Sequence, residues 1–166
     1  MLSHLFWHEP DIVGVAESAA SIAELDAALT ARMTRGLPEL LDRCADAGRR
    51  VWVVGRFEEN AMRAGLRAHG LDGRIAVVAG RLGLDGDTFG EVSVASRTAR
   101  LLDVDPAHCL LVSGRCDVLH VARHSGMALL GVPCGHDIRK WLSGYAPVVS
   151  NLRRLGEALS ARNEHE

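Results

Sequence analysis

Three short stretches concentrate the side chains able to do chemistry. Trp7-His8-Glu9-Pro10-Asp11 carries two carboxylates and an imidazole; Ser113-Gly114-Arg115-Cys116-Asp117 mixes hydroxyl, guanidinium, thiol and carboxylate; Cys134-Gly135-His136-Asp137 adds a second thiol and imidazole. Glu9, Asp11 and Asp117 are the groups suited to proton transfer. Asp11, Asp117 and His136 are the candidates for a metal, and a mixed nitrogen, oxygen and sulfur set would favour zinc or another transition metal over magnesium. Cys116, beside Arg115 and near the start of an expected helix, has the setting of a nucleophilic thiol. His120 and His124, four apart on that helix, face one direction and could chelate a metal. Arg56, Arg97 and Arg115 could gather a phosphate or carboxylate without hydrolysing it. The competing reading is plainer: polar residues at loop ends form turns and keep the loops solvated, and no C-x-x-C pair or H-x-x-x-H motif with a helical glutamate argues otherwise.

The elements that would position these stretches alternate. Val51-Trp52-Val53-Val54-Gly55, Ile75-Ala76-Val77-Val78-Ala79, Cys109-Leu110-Leu111-Val112 and Met127 to Val132 are short apolar runs of the kind buried parallel strands show. Between them, Leu37 to Ala47 reads as a helix with a stop at Gly48, Glu58 to His69 as one ending at Gly70, Val92 to Leu102 as a third, and Asp117 to His124 as one stopped at Gly126. Ile22, Leu25, Ala28 and Leu29 stand at helical spacing within Ile22 to Met33, and Ser150 is a plausible cap for a last helix over Asn151 to Leu159. Strands alternating with helices imply an α/β fold, a doubly wound, Rossmann-like parallel sheet with helices on both faces. Ligands in such sheets sit beyond the carboxyl ends of the strands, which is where the reactive stretches fall. The glycine-rich stretch Arg81 to Gly90 is the expected mobile loop.

Composition closes off several classes of function. Nineteen basic against twenty-one acidic residues leave a net charge of −2, so no global positive field exists to hold a nucleic acid. No apolar run approaches the roughly 20 residues that span a bilayer. Four dispersed cysteines and the absence of a basic and apolar leader point to a reduced, cytoplasmic protein.

The order of the pieces becomes specific once they are taken together. Gly36-Leu37-Pro38-Glu39-Leu40-Leu41, the strand ending Val53-Val54-Gly55, the run Leu102-Asp103-Val104-Asp105-Pro106-Ala107-His108-Cys109-Leu110-Leu111-Val112, then Ala122 to Met127 and Gly131-Val132-Pro133 follow one another over residues 36 to 160. In this the chain resembles the phosphoglycolate-phosphatase-like branch of the haloacid dehalogenase (HAD) superfamily. The resemblance implies a HAD-like core and a site of four motifs. The first has an aspartate nucleophile and a second aspartate, the acid and base, in D-x-D-x-T; the matching positions hold Trp7, Glu9 and Asp11. The second is a Ser or Thr closing the second strand; the position is Gly55, where only the Gly55 and Arg56 amides remain to donate. The third is a lysine that neutralises the transferring group; none stands between Phe89 and Val94, and Lys140 is the chain's single lysine. The fourth is a pair of acidic residues that hold Mg²⁺. Without a gap it falls on Gly114 and Val118; with a one-residue gap Asp117 matches the second carboxylate, and Arg115 brings a cation where a cation should bind.

The expectation is therefore a single HAD-like domain over 1–166, with a short helical insertion at 17–35 in place of the family's cap. Its phosphatase site has decayed, and it serves as a binding, scaffolding or regulatory subunit. Trp7, Gly55, Arg56, Ser113, Gly114, Arg115 and Cys116 are the candidate ligand-binding residues. No cofactor is expected, and Mg²⁺ only if phosphatase activity survives. The partner would be another protein or a second copy, with a small anionic ligand as an addition, and neither nucleic acid nor membrane. The alternatives are a repurposed hydrolase working through Glu9, Asp11 and Asp117, and a module that binds a phosphate or carboxylate ligand.

Overall fold

Strands form where β-branched and leucine runs occur, and helices where glycine or proline brackets an amphipathic stretch. The computed structural model describes residues 10–81, 99–100, 103–135 and 138–161. In order these are helix α1 (Pro10–Thr30), α2 (Leu37–Asp46), strand β1 (Trp52–Glu58), α3 (Glu59–Ala68), β2 (Val77–Arg81), β3 (Leu110–Ser113), α4 (Cys116–Ala122), β4 (Ala128–Gly131), α5 (Ile138–Leu142) and α6 (Leu152–Ala161), with short 3₁₀ turns at Asp72–Arg74 and Pro106–His108. Parallel strands alternate with helices, the α/β, Rossmann-like arrangement expected from the sequence. The chain divides into two compact units, Met1–Met33 with Trp52–Val94 and Thr34–Val51 with Ala95–Glu166.

In the first unit β1 and β2 pair in parallel, Trp52 opposite Val77, Val53 opposite Val78 and Val54 opposite Ala79. The ladder slips after Val54 and resumes with Glu58 opposite Arg81, which carries β1 three residues beyond the expected end at Gly55. The strands run so close there that a Cβ on Gly80 would collide with the Phe57 carbonyl oxygen and stand 2.6 Å from the Glu59 nitrogen. α3 ends with Gly70 at φ +68°, a left-handed turn in which the Leu71 N–H reaches back to the Leu66 carbonyl at 2.8 Å. α1 lies against α3 through small groups, with the Ala28 carbonyl 3.1 Å from where a Cβ on Gly65 would be. The Glu24 carboxylate caps the start of α3 from outside, accepting the Glu58 N–H at 2.7 Å.

The helix expected over Ile22 to Met33 is thus the second half of a 21-residue helix. Its orientation inverts what helical spacing alone suggests. Ile22, Leu25 and Leu29 are exposed, and Ala16, Ala20 and Ala28 are the half-buried positions. The close α1–α3 approach at Gly65 admits alanine and excludes leucine.

In the second unit β3 and β4 pair in parallel from Leu110 opposite Ala128 to Ser113 opposite Gly131. The Pro147-Val148-Val149 run adds a bridge on the far side of β4, the Gly131 N–H donating to the Pro147 carbonyl at 2.8 Å. Beneath them Leu119 and Leu142, both fully buried, pack with Ala146, Cys116, Leu129, Tyr145 and Val148. α2 crosses α6 at Gly156, where a Cβ would come within 2.9 Å of Arg43 Cδ; Leu41, Cys44 and Leu155 are buried, and Arg43 Nη1 donates to Ser160 Oγ at 2.8 Å. The last helix is capped one residue later than expected, because Asn151 rather than Ser150 offers its side-chain oxygen to the Arg154 N–H at 2.9 Å. The helix Val92 to Leu102 and the glycine-rich stretch fall almost wholly outside the described residues.

Replacing Leu119 with alanine removes a fully buried side chain from the centre of this cluster. The expected loss is about 2–5 kcal/mol in urea denaturation, and a loss under about 1 kcal/mol would mean that this cluster does not carry the second unit's stability.

Candidate functional site

The exits of β3 and β4 meet. The Val132 N–H donates to the Ser113 carbonyl at 3.0 Å, extending the ladder one step past the strands. This draws residues 132–134 over Gly114. A Cβ at Gly114 would lie 2.5 Å from Cys134 Sγ and 2.9 Å from the Val132 carbonyl oxygen, so no side chain fits at that position without moving backbone. Ser113 Oγ accepts the Arg115 N–H at 3.2 Å and bends the chain into α4.

Arg115 and Asp117 then close on each other. Nε donates to Oδ1 at 3.1 Å and Nη2 to Oδ2 at 2.5 Å, a two-pronged pair at the surface. The Arg115 guanidinium holds the Asp117 carboxyl below its ordinary range, chiefly through these hydrogen bonds and against the opposing effect of burial. Cys116, between them in sequence, is half-buried and packs against the cluster of Leu119, Leu142 and Ala146. Val118 is buried, so the register that gives positions 114 and 118 to metal ligands finds no space at the first and an inward apolar side chain at the second.

The described part of the site therefore does not fit the divalent cation that the resemblance implies. One carboxylate remains, and an arginine already neutralises it. Among the described residues no three or more His, Cys, Asp and Glu side chains come together as a metal-binding group.

The other candidates separate. Gly55 lies inside β1 rather than at its end; a notional Cβ there would meet Met62 Sδ and Cε at 3.0 and 3.1 Å. Arg56 and Phe57 follow as exposed residues of the same strand. Asp11 is in the first turn of α1, which begins at Pro10 where a strand-end loop was expected; proline at a helix start supplies the fixed φ that such a turn needs. Trp7, His8, Glu9, Arg97, His136 and Asp137 lie outside the described residues. His120 and His124 do not share a helical face, because α4 stops at Ala122, where Ser125 donates to the Ala122 carbonyl from both its N–H and its hydroxyl. His120 instead sets its ring edge-on to Tyr145, 5.6 Å between centroids, and Arg123 stacks over the same tyrosine.

Two buried or half-buried thiols, Cys44 and Cys109, are pushed up mainly by burial, and all four cysteines are free. No helix among the described residues is long and apolar enough to cross a membrane. Sequence reasoning missed the closure of 132–134 over Gly114, for which the glycine itself was the one available signal, and the Arg115–Asp117 pairing, which i to i+2 spacing does not favour on a regular helix.

No protein-family model matches the sequence, and no curated protein does. Solved structures do match. A haloacid dehalogenase-like hydrolase from Streptococcus pneumoniae superposes with a TM-score of 0.69 at 10% identity, over 79% of this chain and 61% of that one. A protein described as a predicted phosphoglycolate phosphatase from Haemophilus somnus gives 0.67 at 16% identity, over 78% and 59%. CbbY from Rhodobacter sphaeroides in complex with phosphate gives 0.65 at 19%, over 80% and 60%. The chain thus spans about three-fifths of the length of these structures. At such identities the likeness speaks for architecture, and the architecture of this chain is the haloacid dehalogenase-like α/β fold.

Proposed function

We propose that the chain is a HAD-like protein whose phosphatase site has decayed and which acts as a binding, scaffolding or regulatory subunit. The observation that carries this reading is the exit of β3. Position 114 has no room for a carboxylate, and Asp117 is engaged by Arg115. Phosphoryl transfer depends on positioning and on charge held ready for the transition state, with a nucleophile, a lysine and a metal among the usual parts. Here Trp7 stands at the nucleophile's position in the sequence, Gly55 replaces the hydroxyl and no lysine occupies the third motif. An exposed ion pair contributes only about 0–1 kcal/mol, so a cation could displace Arg115, but the displaced guanidinium would remain nearby and repel it.

A chain of this kind turns over neither an aryl phosphate nor a panel of small phosphomonoesters, whether Mg²⁺, Zn²⁺ or chelator is present. Steady-state assays of the full chain beside Asp11→Ala and Asp117→Asn check this. Metal-dependent turnover that either substitution abolishes would overturn the reading in favour of a hydrolase using those carboxylates.

The ion pair has its own signature. With its folded-state pKa depressed, Asp117 stays ionised to lower pH than an ordinary aspartate and contributes stability above the ordinary range, lost as pH falls through the depressed value. Carboxyl ¹³C NMR should show Asp117 titrating below the ordinary aspartate range, and Arg115→Ala should bring it back into that range. An Asp117 that titrates normally, or that shifts on Mg²⁺ addition at millimolar concentration, would mean that the carboxylate is available to a metal.

A further inference from the structure

α1 turns its two faces the wrong way for a helix on the surface of a monomer. Toward its own unit it presents Ala16, Ala20 and Ala28, with Glu17, Ser21 and Glu24, all half-buried. Outward it presents Val15 and Ile22, each 71% exposed, and Leu29 at 52%, flanked by Ile12 at 47% and Leu25 at 42%. A helix that packs against a core normally hides its large apolar residues and wets its small and polar ones. Single exposed leucines are ordinary, but a stripe running the length of a helix marks an interaction surface.

We propose that this stripe is the seam of a homodimer, in which α1 packs antiparallel on the α1 of a second copy about a two-fold axis at Ile22. The proposal deepens the binding-subunit reading and can fail without it. Three features of the sequence select a second copy. Val15, Ile22 and Leu29 are seven residues apart, which sets them in a line along the helix. Ile22 is midway, so a two-fold axis there lays Val15 on the partner's Leu29 and the partner's Val15 on Leu29, the self-complementarity that an isologous interface requires. The same operation lays Leu25 on the partner's Ala19, also exposed, a large side chain over a small one on each side of the axis.

Charge then selects the direction. The helix carries Asp11, Glu17, Glu24 and Asp26 and no basic residue; Arg32 follows its end and is exposed. A parallel pair would set Asp26 beside the partner's Asp26 and position 11 beside its acidic copy, with no basic residue of the helix to offset them. The antiparallel pair brings each Arg32 to the partner's first turn, beside Ile12 and the acidic position 11. A 21-residue helix is about 30 Å long, and a seam of one helix per partner belongs at the small end of specific interfaces. The dimer should therefore be a concentration-dependent one, with a Kd of order micromolar.

Sedimentation velocity of the full chain from about 1 to about 100 μM spans that range. The expected result is a shift from monomer to dimer for the native sequence and for Val121→Glu, a control at an equally apolar, 57% exposed site in the other unit. Ile22→Glu should stay monomeric throughout with an unchanged far-UV circular dichroism spectrum, since the side chain it replaces touches little of its own unit. As a second probe, Ile22→Cys sits on the axis, and mild oxidation should link two copies well beyond the background set by the native cysteines. A native chain that is monomeric at every concentration, an Ile22→Glu chain that still dimerises, a Val121→Glu chain that does not, or an Ile22→Cys chain that links no more than background would each overturn the proposal. None of these outcomes bears on phosphatase turnover, whose assay tests the decayed-site reading separately.

Discussion

One hydrogen bond, from the Val132 N–H to the Ser113 carbonyl, governs the end of the molecule where chemistry was to be expected. It prolongs the β3–β4 ladder past both strands and lays residues 132–134 on Gly114, with a sulfur and a carbonyl oxygen where a side chain would begin. Position 114 is thereby closed to any residue with a Cβ. The carboxylate that a metal would need cannot be restored by a point change there, because its backbone neighbour would have to move and the ladder step with it. Among the described residues Arg115 and Asp117 are the charged pair beyond this closure, and they engage each other.

Close approach of backbones also organises the rest of the chain. Gly80 lets β2 lie against the bulged end of β1 and Gly65 lets α1 lie on α3, each against backbone atoms, while Gly156 leaves room in α6 for the Arg43 side chain of α2. Each is a place where a missing side chain substitutes for a shaped one, and interiors as dense as a protein's leave no slack at such crossings. The consequence is plainest in α1. Its alanine side is the side that can come near Gly65, so the valine, isoleucine and leucine residues are left to face outward. Packing at one glycine thus produces the apolar stripe on the opposite side of the helix.

The elements were legible because their signals are local. Gly48 and Gly70 end helices where the sequence places stops, and the valine and leucine runs become the parallel strands. Boundaries moved where pairing overrode composition: β1 runs on through Gly55 because Glu58 finds Arg81 across a slipped register, and α4 stops before His124 because Ser125 takes the Ala122 carbonyl. Gly55 and Arg115 were likewise legible as letters, at the positions where the resemblance would place a hydroxyl and a metal-binding stretch. What could not be read was which way a helix faces when its small residues match a glycine distant in sequence, or that a loop twenty residues on would cover Gly114. Both depend on contacts between segments, and periodicity carries no information about them.

The pairing of Arg115 with Asp117 also discriminates between the two ways in which such a fold could bind without turnover. An anion-binding pocket works when its guanidinium is held open and its charge is unspent, so that the ligand replaces water rather than a carboxylate. Here a phosphate approaching Arg115 would have to displace Asp117, and the released carboxylate would remain within a few ångströms of the incoming negative charge. Exchange of one anion for another with added repulsion leaves little net affinity, whatever the strength of the individual hydrogen bonds. A partner that buries apolar surface meets no such cancellation, because its driving force is the removal of exposed valine, isoleucine and leucine from water, at roughly 25 cal/mol per Å². On this physical ground the exposed face of α1 is a better place for this chain to bind a partner than the strand-end loop around Arg115 is to bind an anion.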